Sequence, residues 1–325
     1  MGTGCRLAIV GATGEVGRAL ISALEDAELE LAEVHALASA DSADETIMYR
    51  GRALLVEALD EFDFKRADIA IFALPEALAL KFVPQARKAA CRVIDHSAAF
   101  RLDPHVPLLI EGADIPDAAL VACPGALTAV LAPVLSALTA YELKSVHVTA
   151  LNPVSARGRA GVRELAGQTG ELLNARGIEP VTFPVQIAFN ALPIVGGQGG
   201  DALMDELERL LPEAVPVGLA EVVVPVFYGV SASLRVETAL PLALAAAAKA
   251  LKAAGISFGD SEQDQGVATP VTDASGQNGV YLSALSMLPA PLQGVQFWLV
   301  ADNVRQGAAC HSLYILKKWI KDFKY

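Results

Sequence analysis

Hydrophobic and polar positions along the chain follow two rhythms. From residue 6 to residue 113 the apolar positions gather in short, nearly continuous runs: RLAIV (6–10), EVHALAS (33–39), ADIAIFAL (67–74), CRVIDHS (91–97) and PLLIEGA (107–113). Between them lie stretches such as RALISALEDAEL with apolar residues at helical spacing. Apolar strands alternating with amphipathic helices predict a parallel sheet covered on both faces. After about residue 145 the runs lengthen and partly alternate: KSVHVTALNPV, PVTFPVQIAFNALP, LAEVVVPVFYGVSASLRVET and GQNGVYLSALSMLP. Helical stretches separate them, among them GVRELAGQTGELLNA, DALMDELERLLPEA and LPLALAAAAKALKAAG. This half predicts an α+β domain with a mostly antiparallel sheet. The polar, Gly-rich stretch 259–277 reads as a loop, and ADNVRQGAACHSLYILKKWIKDF as a final amphipathic helix.

Length and composition narrow the class. A chain of 325 residues with 53% hydrophobic and 19% charged residues suits a globular protein of about two domains with a large core. The net charge of -12 disfavours nucleic acid and anionic membrane as partners. Cys5, Cys91, Cys123 and Cys310 match neither a zinc pattern nor a compact disulfide framework, so reduced thiols, a cytoplasmic setting and no metal are expected. No apolar run reaches the roughly 20 residues of a membrane span. The opening MGTGCRLAIVGATG enters a strand at once, so no signal peptide is expected.

The chemistry begins at GATGEVG. Gly11, Gly14 and Gly17 follow a strand and open a helix, where glycine permits a tight turn and the helix N-terminus offers N–H groups to a diphosphate. Gly11, Thr13, Gly14, Glu15 and Val16 are the cofactor-binding candidates of this turn.

Six stretches in order, GATGEVG, VIDHSAAFR (93–101), ACPGALTAVLAP (122–133), VSARGRAGVRELAGQT (154–169), GVSASLRVET (229–238) and DNVRQGAA (302–309), together resemble aspartate-β-semialdehyde dehydrogenase over nearly the whole chain. The resemblance implies a Rossmann-type dinucleotide-binding domain, 1–132, completed by the C-terminal helix at about 303–325. It also implies a dimerisation and substrate domain, 133–302, and a homodimer. The family reduces aspartyl phosphate to the semialdehyde with NADPH. That reaction needs a thiolate to form an acyl-enzyme and a histidine to manage protons.

The matching positions here are apolar. The family's nucleophilic turn corresponds to Cys123, Pro124, Gly125, Ala126 and Leu127, which places Ala126 at the cysteine. Its G-H-S turn corresponds to Gly229, Val230 and Ser231, which places Val230 at the acid/base. The carboxylate-binding arginine corresponds to Val223, and the supporting glutamine to Asn152. No catalytic residue is therefore assigned, and the chain reads as a degenerate, Usg-type paralogue. Arg101 matches a phosphate-binding arginine, and Asn303 a residue near the nicotinamide. The segment that holds the 2′-phosphate of NADP corresponds to Ser39, Ala40, Asp41 and Ser42. Ser39 stays a cofactor candidate, but a carboxylate at Asp41 repels a phosphate, which disfavours NADP relative to NAD. Leu74 and Pro75 replace glycine beside the nicotinamide and would crowd it, so the chain could also bind no dinucleotide.

Two other readings stand beside a silent paralogue. One is an NAD(P)-dependent oxidoreductase whose chemistry has moved to Cys123 or to His96, which stands where the family has asparagine. The other is an interaction partner of an active homologue. RGR (157–159) is a small basic turn that could hold an anion.

Overall fold

The computed structural model describes residues 4–194, 199–259 and 266–323. The chain divides into two compact units, Met1–Gly125 with Gly307–Tyr325, and Ala126–Gln306. The first holds strands β1 (Cys5–Val10), β2 (Leu31–Ala38), β3 (Thr46–Tyr49), β4 (Arg52–Ala58), β5 (Ile69–Phe72), β6 (Arg92–Asp95) and β7 (Leu120–Ala122). Helices α1 (Glu15–Asp26) and α2 (Glu76–Lys88) follow β1 and β5. The strand order is β3-β4-β2-β1-β5-β6-β7, parallel throughout except for the β3–β4 pair.

Continuous apolar runs become central strands because both faces of this sheet are covered. Leu7 and Ile9 of β1 pack with Leu20 and Leu24 of α1, while Ala8 and Val10 pack with Phe82 and Val83 of α2. All four β1 residues are wholly buried. Leu7, Ile9 and Val10 each contribute about 1.5–3 kcal/mol.

The second unit holds α3 (Ala126–Ser136), β8 (Leu143–Asn152), α4 (Gly158–Leu173), β9 (Leu192–Pro193), α5 (Gly199–Leu210), β10 (Val217–Val223), β11 (Val230–Thr238), α6 (Leu244–Ala253), β12 (Ser257–Phe258), β13 (Val280–Met287) and β14 (Gly294–Ala301). Its sheet runs β12-β13-β14-β11-β8-β10-β9, antiparallel except for β12–β13 and β8–β10. Alternation sets the faces. Val148, Leu234 and Phe297 are cross-strand neighbours on the buried face, whereas Thr149, Ser233 and Gln296 are exposed on the other. The chain then returns to the first unit as α7 (Cys310–Trp319), whose Leu313, Leu316 and Trp319 join the core that contains α1. The α/β class with a parallel first sheet and a mostly antiparallel second one is as expected.

Several local expectations are corrected. PLLIEGA makes only an isolated bridge, Leu108 with Ala122, because Pro107 lacks a donor and Gly112 turns the chain at φ 90. PVTFPVQIAFNALP is strand only at Leu192–Pro193, since Pro180 and Pro184 interrupt a ladder and Phe189 adopts φ 58. EVVVPVFYGV breaks at Pro225 into β10 and β11. The β3–β4 hairpin was not anticipated; Arg50 and Gly51, at φ 51 and 72, form its two-residue turn. Within 259–277, residues 260–265 lie outside the described residues, and Pro270–Ala274 forms one helical turn capped by Thr269. The last regular helix starts at Cys310, after a wider helical turn at Arg305–Ala309.

Candidate functional site

In the first unit the Gly-rich turn lies at the C-terminal ends of β1 and β2. The N–H groups of Gly11 and Ala12 both donate to the Leu37 carbonyl, at 2.8 and 3.0 Å. The three glycines do different work. A Cβ on Gly11 would lie 2.3 Å from the Ala73 carbonyl oxygen, and one on Gly17 would lie 2.2 Å from that of Gly11. Both permit close backbone packing. A Cβ on Gly14 would meet only the Gly11 oxygen, at 3.3 Å. Gly14 is also the N-cap of α1 and supplies no side-chain oxygen to the first turn. That leaves a backbone cradle at the positive end of a helix dipole, which suits a diphosphate.

Thr13, Glu15 and Val16 are half-buried around this cradle, and Glu15 places a carboxylate in the first turn. Arg18, which the motif reading missed, donates from Nε to the Thr13 carbonyl at 3.1 Å and faces Glu45 at 3.9 Å. Ser39 and Asp41 are exposed just beyond β2, and Asp44 and Glu45 follow. One arginine and three carboxylates therefore occupy this end. Leu74 leans on the core beneath β5, and its Cδ2 would lie 3.2 Å from a Cβ on Gly11.

Beside β6 and β7 lies a polar cluster in which Asp95, Ser97, Cys123 and Ser312 are buried and His96 and Arg101 half-buried. His96 Nε2 bonds Ser312 Oγ, and the Ser312 hydroxyl also bonds the Cys123 thiol. Ser97 Oγ donates to Asp95 Oδ2 at 2.6 Å. Burial, then the nearby Asp95 charge, pushes the Cys123 thiol up to about 12. Burial, then His311 and Arg101, pushes the His96 imidazole down to about 3. Cys123 is wholly buried and stays a thiol at neutral pH, while His96 stays neutral. Arg101 donates from Nε to the Cys123 carbonyl at 3.0 Å and from Nη2 to the His96 carbonyl at 2.6 Å. Two of its three nitrogens thus brace the backbone. All four cysteines are buried and none is in a disulfide.

In the second unit Asn152, Val223 and Val230 come together at one end of three adjacent strands. Asn152 ends β8 and pairs in register with Val223, which ends β10; Leu151 pairs with Ser231, next to Val230 at the start of β11. Val230 is 2% exposed and Val223 5%. Val223 packs with Val154, Phe183 and Ile187. Gly229 bends at φ 92, and a Cβ there would lie 2.8 Å from Cβ of Pro270. Asn303 ties this turn down: its Oδ1 accepts from the Gly229 N–H at 3.1 Å and from Ser155 Oγ at 3.2 Å. Asn152 Nδ2 donates to Glu221 Oε1 at 3.0 Å. Ala126 is half-buried as the first residue of α3. Arg157 of the RGR turn is exposed, and Gly158 begins α4 at φ 66. Among the described residues no group of three His, Cys, Asp or Glu side chains could hold a metal ion.

Two family models match this chain. The semialdehyde dehydrogenase NAD-binding domain matches residues 6–138, and the semialdehyde dehydrogenase dimerisation domain residues 131–306. The chain belongs to the semialdehyde dehydrogenase family. It is 37% identical to a USG-1 protein homolog of Pseudomonas aeruginosa, covering 98% of both chains. It is 31% identical to the aspartate-semialdehyde dehydrogenase of Legionella pneumophila, covering 98% of this chain and 96% of that protein. The crystal structure of aspartate semialdehyde dehydrogenase II from Vibrio cholerae superposes with a TM-score of 0.91 at 31% identity, covering 98% of this chain and 99% of that one. As a semialdehyde dehydrogenase family member, the chain carries an NAD-binding domain and a dimerisation domain. Among the described residues no helix is long and apolar enough to cross a membrane.

Proposed function

We propose that this chain is a catalytically silent member of the semialdehyde dehydrogenase family, a homodimer that retains dinucleotide binding but does not turn over aspartate semialdehyde. One observation carries the reading. The positions matched to nucleophile, acid/base and carboxylate anchor are Ala126, Val230 and Val223, and the two valines are sunk in apolar packing at 2% and 5% exposure. A methyl group cannot form an acyl-enzyme, and neither valine can move a proton or pair with a carboxylate. Losing members of a catalytic set costs several orders of magnitude in rate.

Relocated chemistry has little support. Cys123 is buried with its thiol raised to about 12, and His96 is committed to Ser312 with its ring lowered to about 3. Neither group supplies a thiolate or exchanges a proton near neutral pH.

A bound nicotinamide dinucleotide would supply a hydride acceptor. The Gly14 cradle and the first turn of α1 would hold its diphosphate, with Thr13, Glu15 and Val16 alongside and Ser39 at the adenosine end. Asp41, Asp44 and Glu45 favour NAD over NADP there. Arg101 would serve mainly to brace the Cys123 and His96 carbonyls in the first unit, and Asn303 the Gly229 turn in the second.

The test is an assay of the purified protein with aspartate semialdehyde and phosphate, with NAD and NADP separately. No measurable turnover is expected. Turnover near 1 per second, within the ordinary enzyme range, would overturn the reading.

A further inference from the structure

At the end of the first sheet opposite the Gly-rich cradle lies a cavity of about 490 Å3, a size suited to a small molecule. β6 runs parallel to β1 through β5, so Arg92, its first residue, marks that end. The rest of the lining comes from the turn 113–117 and the end of α7, so the first unit holds the whole cavity.

Hydrogen bonds brace its walls. Tyr314 Oη donates to the Ala113 carbonyl at 2.7 Å, and the Glu111 N–H donates to His311 Nδ1 at 2.9 Å. Both tie the segment before β7 to α7. The Ala118 N–H closes the turn on the Pro116 carbonyl at 2.8 Å. Trp319 is 2% exposed, and the Arg92 guanidinium lies 4.1 Å from its ring centroid. Stacking on an aromatic face fixes the plane of a guanidinium and with it the direction of its N–H groups.

Charge selects the occupant. Arg92 and Lys318 bring two cations to the cavity, and Asp114 and Asp117 two carboxylates. Asp114, Asp117 and Lys318 are exposed, and among the described residues no ion pair joins either aspartate to Lys318. A simple anion would be repelled by the carboxylates, and a simple cation by the guanidinium and ammonium. A small molecule that carries both charges avoids both penalties. Ile115, Pro116 and the Tyr314 ring supply the apolar remainder of the wall.

We propose that this cavity is an accessory site for a free α-amino acid with an apolar side chain. Arg92 and Lys318 take its carboxylate, Asp114 and Asp117 its ammonium, and Ile115 and Pro116 face its side chain. The buried Trp319 indole N–H has no partner among the described residues, whereas a buried tryptophan N–H normally finds one. A carboxylate in the cavity brings the acceptor. The site stands apart from the Gly14 cradle, so its occupancy needs neither dinucleotide nor turnover.

Calorimetry on the intact chain without nucleotide tests this with three probes: L-leucine, N-acetyl-L-leucine, which lacks the ammonium, and L-leucinamide, which lacks the carboxylate. L-leucine is expected to bind with a Kd below about 1 mM, and each blocked form about tenfold or more weakly than that. Two variants at exposed positions locate the site. Asp114→Asn with Asp117→Asn should weaken L-leucine about tenfold or more and leave N-acetyl-L-leucine unchanged or tighter. Lys318→Gln should weaken L-leucine and N-acetyl-L-leucine about threefold or more, and L-leucinamide not at all. No detectable binding of L-leucine up to about 10 mM would overturn the proposal. So would a blocked form that binds as tightly as L-leucine, or an L-leucine affinity unchanged in either variant.

Discussion

Val223 differs from an arginine at the same place in more than charge. It sits at 5% exposure among Val154, Phe183 and Ile187, so restoring a guanidinium there would bury a cation without a carboxylate partner in that cluster. Val223→Arg is expected to destabilise the fold by about 2–4 kcal/mol, measured by urea unfolding. A cost below about 0.5 kcal/mol would mean that the cluster opens easily and that the lost anchor is only a matter of charge. Ala126→Cys, at a half-buried helix start, should be tolerated yet leave the protein inactive. Its thiol would stay mostly protonated without a histidine at position 230. The apolar identities of Ala126, Val223 and Val230 were legible from the order of motifs. Their incorporation into the core was not, because Val154, Phe183 and Ile187 reach Val223 from distant parts of the chain.

Elements of the first unit are tied together through polar groups as well as apolar ones. The turn after β6 meets α7 where His96 bonds Ser312, and α7 also receives the Glu111 N–H on His311 Nδ1 at 2.9 Å. Because burial holds the folded His96 ring at about 3, against an ordinary value near 6.5, protons bind the unfolded chain first. Its stabilising effect is complete above about pH 6.5 and is lost as pH falls toward 3, by about 2 kcal/mol at pH 5. Asp95, raised by burial, works in the opposite direction, so the parent's curve is a composite. The comparison that isolates the ring is His96→Asn: its unfolding free energy should fall less steeply than the parent's between pH 7 and pH 5. Identical slopes would remove His96 from this account. At this scale glycine, proline and the apolar runs made most strands and helices readable. The hairpin of β3 and β4 and the irregular 178–193 segment escaped because a two-residue turn at Arg50–Gly51 and side-chain clamps from α4 leave weak local signals.

For the whole molecule, charge sets the terms of ligand binding. A net charge of -12 opposes any dinucleotide, and on the proposed binding mode Asp41, Asp44 and Glu45 would concentrate that opposition at the additional phosphate of NADP. Calorimetry should find NAD bound more tightly than NADP, with both weakened by salt-independent crowding from Leu74. Asp41→Arg should shift the NADP-to-NAD affinity ratio by about 10–100-fold toward NADP. An unchanged ratio would place the 2′-phosphate away from Asp41.

The sequence by itself determined the family, the two kinds of sheet, the Gly-rich turn and the apolar identities of Ala126, Val230 and Val223. These rest on local spacing and side-chain identity, which survive in one dimension. Only the tertiary structure decided the surroundings of Cys123 and His96, since their shifted ionisation comes from burial and from Asp95, Arg101 and His311. It alone separated Gly14, where a Cβ would press on one oxygen at 3.3 Å, from Gly11 and Gly17, where a Cβ would fall within 2.3 Å of backbone. It alone turned Val181, Val185 and Phe189 outward, because the bonds that hold them come from Glu164 and Gln168 on another element.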